Sequence, residues 1–167
     1  AREGNLPYPM RALHTPDFLY VRNFAPDRWP MGSPYAAAGA DALSAERLEH
    51  DTFYAFPDMD ASPTKAWIVL HRDSADWKWN FERAFGKRPA EELYDLRKDR
   101  DQTQNLAADP ACAVQKARLS AELTARLQAV GDPRVTCDPI PFEHPPFTDA
   151  PEKPVRPGKK SQKQRPQ

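Results

Sequence analysis

The sequence predicts a small α+β fold followed by a proline-rich tail, and three observations lead to that prediction. Two short β-prone runs flank a Thr15-Pro16-Asp17 turn, which indicates a hairpin. Ser-Pro at residues 62–63 and Asp-Pro at residues 109–110 are helix starts, and apolar residues at helical spacing follow each pair. The 19 prolines among 167 residues argue against a long helical bundle.

Charge and composition argue against several classes of protein. Lys and Arg number 24 and Asp and Glu number 24, so no overall field indicates a nucleic acid partner or an anionic membrane. No apolar run approaches the roughly 20 residues that a membrane helix needs, so we expect no membrane span. Two cysteines provide neither a disulfide framework nor a C-x-x-C metal pair.

The first strands are predicted at residues 10–14 and 18–24. In the second run Phe18, Tyr20 and Arg22 share one face of the strand. Residues 25–61 then form a long loop with many helix and strand breakers, and several aromatic residues punctuate it: Trp29, Tyr35, Phe53, Tyr54 and Phe56. A loop of this length is either functional or packed by its own side chains.

Two short helical stretches and a strand follow the loop. The first helix starts at Ser62-Pro63, and the second presents Trp77, Phe81 and Phe85 as one buried stripe. Residues 92–96 then predict a short strand, ahead of a polar turn.

The longest helix is predicted after Asp109-Pro110. Its apolar stripe consists of Leu119, Leu123, Leu127 and Val130, and Gly131 with Pro133 ends it. From residue 138 onward prolines recur and six of the last 17 positions are basic, which predicts disorder. The chain therefore divides into a folded unit over 1–137 and a proline-rich basic tail over 138–167.

The residues of the folded unit contain no complete active site. The four histidines are scattered, and no phosphate-binding glycine loop or G-x-S-x-G elbow occurs. Cys112 lies in the first turn of the long helix. It is either a reactive thiol at the helix start or a small apolar side chain that packs with Leu119 on the stripe.

Two segments carry a family resemblance. The first is Tyr8-Pro9-Met10 with the hairpin behind it, and the second runs from Glu91-Glu92-Leu93-Tyr94-Asp95-Leu96 through Asn105 to Asp109-Pro110. The second is similar to the "ELYDL..DP.E..NLA.DP" signature of the sulfatase family. Together with Gly131-Asp132-Pro133, the segments span residues 2–137 and resemble the C-terminal subdomain of heparan N-sulfatase (sulfamidase)-like and arylsulfatase-like members. Arg100 stands where that family usually has proline.

The resemblance implies a four-stranded antiparallel sheet packed on a long C-terminal helix. In the family this subdomain docks against a large catalytic α/β domain. That domain carries a formylglycine, made from the cysteine of a C-x-P/S-x-R motif, and a calcium ion. The enzyme cleaves a sulfate ester or a sulfamate on a sulfated carbohydrate. The resemblance is compatible with a secreted or periplasmic location, which the sequence itself does not identify.

Neither cysteine of this chain fits the nucleophile motif, because Ala-Val-Gln-Lys follows Cys112 and Asp-Pro-Ile-Pro follows Cys137. We therefore expect the chain to be the C-terminal part of a sulfatase-like hydrolase, starting just before the subdomain and inactive alone. The calcium and the formylglycine are expected in the catalytic domain. The first strands are expected to expose an apolar docking face.

Three residues are candidates for the rim of a substrate pocket in the whole enzyme: Arg2, Glu3 and Arg11. Arg11 holds a sulfate or carboxylate with its fork of donors, or it pairs with a neighbouring strand. We expect Tyr94 and Leu96 to lie in the core and Asn105 to tie a turn. The residues of the two segments that are expected to be structural are Tyr8, Pro9, Met10, Glu92, Leu93, Tyr94, Asp95, Leu96, Asn105, Asp109 and Pro110.

An alternative function stays open at the level of the sequence. The chain is then a free-standing interaction module, which binds a saccharide through the aromatic loop 25–61 and a polyanion through the basic tail.

Overall fold

The computed structural model describes residues 7–38, 42–138, 140 and 143, and these residues form an α+β fold. The α+β class is thereby confirmed. The helices and strands are, in chain order, β1 Met10–His14, β2 Phe18–Asn23, α1 Ala45–His50, α2 Pro63–Leu70, α3 Lys78–Ala84, β3 Glu91–Asp95, α4 Ala113–Ala129 and α5 Pro133–Thr136. Short 3-10 turns occupy Tyr35–Ala38, Thr52–Tyr54 and Pro110–Cys112.

The sheet is antiparallel throughout, with the strand order β1-β2-β3. The predicted hairpin is confirmed, and Thr15 closes it by accepting a hydrogen bond from the Phe18 amide on its hydroxyl at 2.9 Å. β3 begins and ends one residue earlier than the sequence predicts. Within the described residues the sheet has three strands rather than four, since Asn105 and Leu106 occupy the outer edge of β3 without forming a strand.

The first core lies between the sheet and α4. It contains Leu13, Tyr20 and Leu93 from the three strands and the helix residues Leu119, Leu123 and Leu127. The predicted stripe is correct at these three leucines. It is wrong at Val130, which is 79% exposed, because the chain leaves the helix at that residue.

The second core is built by the aromatic loop together with α1, α2 and α3. Phe56 is fully buried at its centre, and its ring contacts those of Trp29, Phe81 and Phe85. The two halves of the loop are also bonded to each other, since the Phe56 amide donates to the Ser33 carbonyl at 2.8 Å. The loop is therefore packed by its own side chains.

A glycine is required where the two halves of this loop meet. Gly32 has φ +82°, and a Cβ at that position would lie 2.7 Å from the Pro57 side chain. Both the left-handed backbone and the close approach exclude a larger residue.

The predicted helix starts are confirmed in atomic detail. The Ser62 side chain accepts from the Lys65 amide, and the Asp109 side chain accepts from the Ala111 amide at 2.9 Å. Asp132 does the same for α5, so Pro133 opens a further short helix after Gly131 ends α4. Each cap satisfies an amide that the first helical turn leaves without a partner.

None of the helices in the described part of the chain is long and apolar enough to cross a membrane. Of the predicted tail over 138–167, only residues 138, 140 and 143 belong to the described part.

Replacing Leu119 by Ala should lower the free energy of unfolding by about 3 kcal/mol, because it leaves a cavity between α4 and the sheet. Val130→Ala removes apolar atoms from an exposed position and should change the free energy by less than about 0.5 kcal/mol. Urea unfolding followed by circular dichroism measures both, and similar losses for the two variants would contradict the assignment of the stripe.

Candidate functional site

Of the three candidate pocket residues, the structure describes Arg11 alone, and Arg2 and Glu3 lie outside the described residues. The Arg11 Nε donates to Asp132 Oδ2 at 2.6 Å, and its Nη1 donates to the Met10 carbonyl at 2.9 Å. Arg11 thus joins β1 to the turn between α4 and α5. Its carboxylate partner belongs to the same chain, and a role for Arg11 at a substrate pocket stays a prediction.

Asp132 has two functions in this contact. Its Oδ2 accepts from Arg11, and its Oδ1 accepts from the Arg134 amide at the start of α5. The bond from Arg11, with a smaller contribution from the Arg134 amide, holds the pKa of Asp132 below its ordinary value.

Asn105 connects the signature segment to the sheet. Its Oδ1 accepts from the Leu93 amide at 2.9 Å and from the Ala107 amide at 3.0 Å, while its Nδ2 donates to the Glu91 carbonyl at 3.3 Å. The amide side chain therefore replaces a peptide group of a neighbouring strand. The expected turn-tying role of Asn105 is observed, and it extends to β3.

Glu92 is a buried carboxylate, and each of its two oxygens accepts a hydrogen bond. Tyr94 Oη donates to it at 2.5 Å and Asn23 Nδ2 donates to it at 2.8 Å. Burial, and then the bond to Glu92, raise the pKa of Tyr94. Tyr94 is buried as expected, whereas Leu96 is only half buried and follows the end of β3.

Two aspartates organise the turn after β3. Asp95 accepts from the amide and the Nε of Arg97, each at 3.1 Å, and Asp99 accepts from the amides of Thr103 and Gln104. These bonds hold the pKa of each carboxyl below its ordinary value. The exposed Arg100 takes no part in them, so the turn closes without the proline that the resemblance leads one to expect there.

The first segment of the resemblance, Tyr8-Pro9-Met10, also packs within the fold. Pro9 is buried, and its carbonyl accepts from the Phe24 amide at 3.0 Å; Tyr8 beside it is half buried. Met10 is 48% exposed on β1.

The cysteines lie at separate places. Cys112 packs at the edge of the first core, as the apolar alternative predicts, and Cys137 is exposed. In the part of the chain that the structure describes, no three His, Cys, Asp or Glu side chains come together to hold a metal ion.

Lys65 is a buried cation that sequence reasoning missed. Its Nζ donates to the carbonyls of Met59, Thr52 and Phe56 at 2.7, 3.1 and 3.2 Å, and its side chain has no exposed surface. Burial lowers the pKa of this amine. The three carbonyls all stabilise the charged form of Lys65. Because they belong to residues 52–59, their bonds to Lys65 hold this part of the loop against the start of α2.

An exposed aromatic surface on α2 and α3 was also missed. The Trp67 ring is stacked on His71 with centroids 3.9 Å apart, and it meets Trp77 edge-on at 5.9 Å. Trp67 is 50% exposed and Trp79 is 52% exposed. The exposure of Trp79 could have been predicted from the sequence, because this residue lies off the helical stripe formed by Trp77, Phe81 and Phe85.

Neither a scan against protein-family models nor a search of curated proteins finds a match for the chain. The sulfatase resemblance therefore rests on the two sequence segments themselves.

Asn105→Ala should lower the free energy of unfolding by about 1–3 kcal/mol, because it leaves the Leu93 and Ala107 amides without an acceptor. Asn105→Asp keeps an acceptor and loses the donor to Glu91, so its loss should be smaller. Gln104→Ala is the control, since that residue bonds to Asp99 through its main chain. Denaturant titrations rank the three variants, and an Asn105→Ala variant as stable as Gln104→Ala would contradict the bridging role.

Asp132→Asn should cost about 0.5–1 kcal/mol at pH 7, the range of a partly exposed ion pair. The Asp132 pKa is lower in the folded state than the ordinary 3.8, so its stabilisation is complete above about pH 4 and is lost as the pH falls through the lowered value. The stabilities of wild type and variant should therefore converge in acid, as measured by thermal unfolding from pH 7 to pH 2. Asp101→Asn, at an exposed position, is the control. A stability difference between wild type and Asp132→Asn that stays constant from pH 7 to pH 2 would refute the stabilising role of the Asp132 carboxylate.

Proposed function

We propose that the chain is the C-terminal subdomain of a sulfatase-like hydrolase that cleaves a sulfate ester or sulfamate on a sulfated carbohydrate. In this proposal the chain has no turnover of its own and supports a catalytic α/β domain. The long signature over residues 91–110 and the preceding Tyr8-Pro9-Met10 segment support the family assignment.

The observation that carries the proposal is the way the signature residues are used. Asn105 bonds along β3, Asp95 and Asp99 close the turn, and Asp109 caps the entry to α4. Their polar groups are occupied by bonds within the chain. This use suits a supporting element, which is the part that the resemblance assigns to the segment.

Exposed apolar side chains favour docking against a larger body. Met10 on β1 is 48% exposed, beside the exposed Ala12 and His14 on the same strand face. Trp67 and Leu70 on α2 are exposed as well, by 50% and 38%. Exposed apolar surface of this kind is typical of interaction sites. We therefore propose docking at two exposed apolar places, the first strand and α2.

The proposal assigns the formylglycine and the calcium ion to the catalytic domain. Among the described residues, no three His, Cys, Asp or Glu side chains gather around one point.

The alternative, a free-standing module that binds a saccharide through the aromatic loop 25–61, is less favoured. Among the loop aromatics, Phe56 is buried, Trp29 and Tyr54 pack against the second core, and Phe53 is 71% exposed. The loop 25–61 therefore offers one exposed ring, which is little for a saccharide platform.

The test is complementation of a catalytic domain. The chain alone should hydrolyse neither an aryl sulfate nor a sulfamate. Co-expressed with the formylglycine-bearing domain of a sulfamidase-like enzyme that lacks its own C-terminal subdomain, it should restore turnover and co-purify with that domain.

The catalytic domain expressed without the chain is the first control, and co-expression with the Leu119→Ala chain is the second. Turnover by the isolated chain would overturn the proposal. So would a folded wild-type chain that neither binds the catalytic domain nor restores its activity.

A further inference from the structure

We propose that the end of α3 is a binding surface for a sulfated saccharide. The surface consists of Trp79, Arg83, Lys87 and Arg88, and we call it the α3 cationic patch. It lies within ten residues of sequence and includes none of the candidate pocket residues.

The charge pattern singles out this patch. Most described arginines and lysines lie within 4.0 Å of a carboxylate, as in the pairs Arg47–Asp51 and Arg126–Glu122. Within the described ranges, Arg83, Lys87 and Arg88 have no such contact; the other described cations without one, Arg22, Lys65 and Arg100, are isolated from one another in the sequence. Three cations that follow one another without carboxylate partners leave local positive charge on a chain whose formal net charge is zero.

The acids around the patch are already engaged. Glu82 lies 4.0 Å from Lys78, and Asp99 accepts from the amides of Thr103 and Gln104. Glu92 is buried and accepts from Tyr94 and Asn23. The charge of Arg83 also contributes to lowering the pKa of Asp99, so the positive charge available to an external anion is chiefly that of Lys87 and Arg88.

The cations are held in place at the end of the helix. An Arg83 Nη2 donates to the Thr103 carbonyl, and an Arg88 Nη2 donates to the Arg83 carbonyl at 2.5 Å. Cations also suit the negative end of a helix dipole, which gives these residues a structural role. Each guanidinium uses one N–H in these bonds, so most of its donors remain for an anionic ligand.

An exposed aromatic ring completes the surface. Trp79 is 52% exposed, and the Arg83 guanidinium carbon lies 5.2 Å from the centroid of its ring. The Lys87 ammonium lies 5.4 Å from the ring of Trp29, at the edge of the second core. An indole with one arginine over its ring, and two further cations nearby in the chain, matches a sugar ring that carries anionic groups. The apolar C–H face of the sugar would pack on the indole while the cations bind the anions.

A saccharide fits these observations better than a nucleic acid does. Surfaces that track single-stranded nucleic acid combine a long positive groove with successive stacking rings. The α3 cationic patch has three cations and one half-exposed indole, and the chain as a whole has no positive excess. The choice of sulfate over carboxylate as the anion rests on the proposed function, whereas the location of the patch does not.

The experiment measures binding of the full-length chain to a size-defined heparin oligosaccharide by isothermal titration calorimetry at several salt concentrations. Lys87→Gln/Arg88→Gln should weaken binding about tenfold and reduce the salt slope by about one per lost cation. Trp79→Ala should weaken binding about fivefold with an unchanged salt slope, because it removes packing and no charge.

The matched control is Arg118→Gln/Arg126→Gln, which removes two exposed cations from α4 and should alter affinity less than about twofold. All variants keep the basic tail, so its contribution is constant. Equal losses in patch and control variants, or wild-type affinity after the patch substitutions, would overturn the proposal.

Two further ligands decide the chemistry. A fully desulfated heparin oligosaccharide should bind more weakly than the sulfated one, and equal affinity would refute sulfate recognition. A single-stranded oligonucleotide of matched charge that binds more tightly than the saccharide would identify a nucleic acid surface instead. Patch-dependent heparin binding without catalytic complementation would leave the patch established and the proposed function refuted.

Discussion

The contact between α4 and the sheet is the constraint on which the rest of this structure depends. Three strands of five or six residues do not form a stable unit in water without something packed against one face. Leu119, Leu123 and Leu127 provide that cover. The Lys116–Glu91 ion pair at 3.2 Å is a polar contact between helix and sheet that this packing allows. Within the sheet, the Tyr20 hydroxyl donates to the same Glu91 carboxylate at 2.6 Å.

The second core is linked to the first through the turn before β3. Asn23, at the end of β2, donates from its main chain to the Ala90 carbonyl and from its side chain to the Pro89 carbonyl. These bonds fix where the chain leaves α3 and enters the sheet. The α3 cationic patch therefore lies on a helix whose end is anchored, which favours a preformed binding surface over a flexible one.

The sequence allowed prediction of the features that depend on neighbouring residues. The hairpin, the caps at Ser62 and Asp109 and the leucine stripe of α4 all have local signals, and all are present. Lys65 could not be found in this way, because its burial depends on three carbonyls that the folded loop brings together. For Arg11 the sequence offered a ligand role or a structural pair, and only the fold shows Asp132 beside it.

The buried Lys65 also restricts which residues this position accepts. A methionine of similar length would leave three carbonyls without a donor, and an arginine would place a wide planar group where a compact ammonium fits. Reagents that label surface amines would reach Lys65 only after the loop opens, since the side chain has no exposed surface. Labelling of Lys65 would thus show that the loop has opened. When lysines are replaced to direct immobilisation or conjugation, Lys65 is the one to retain.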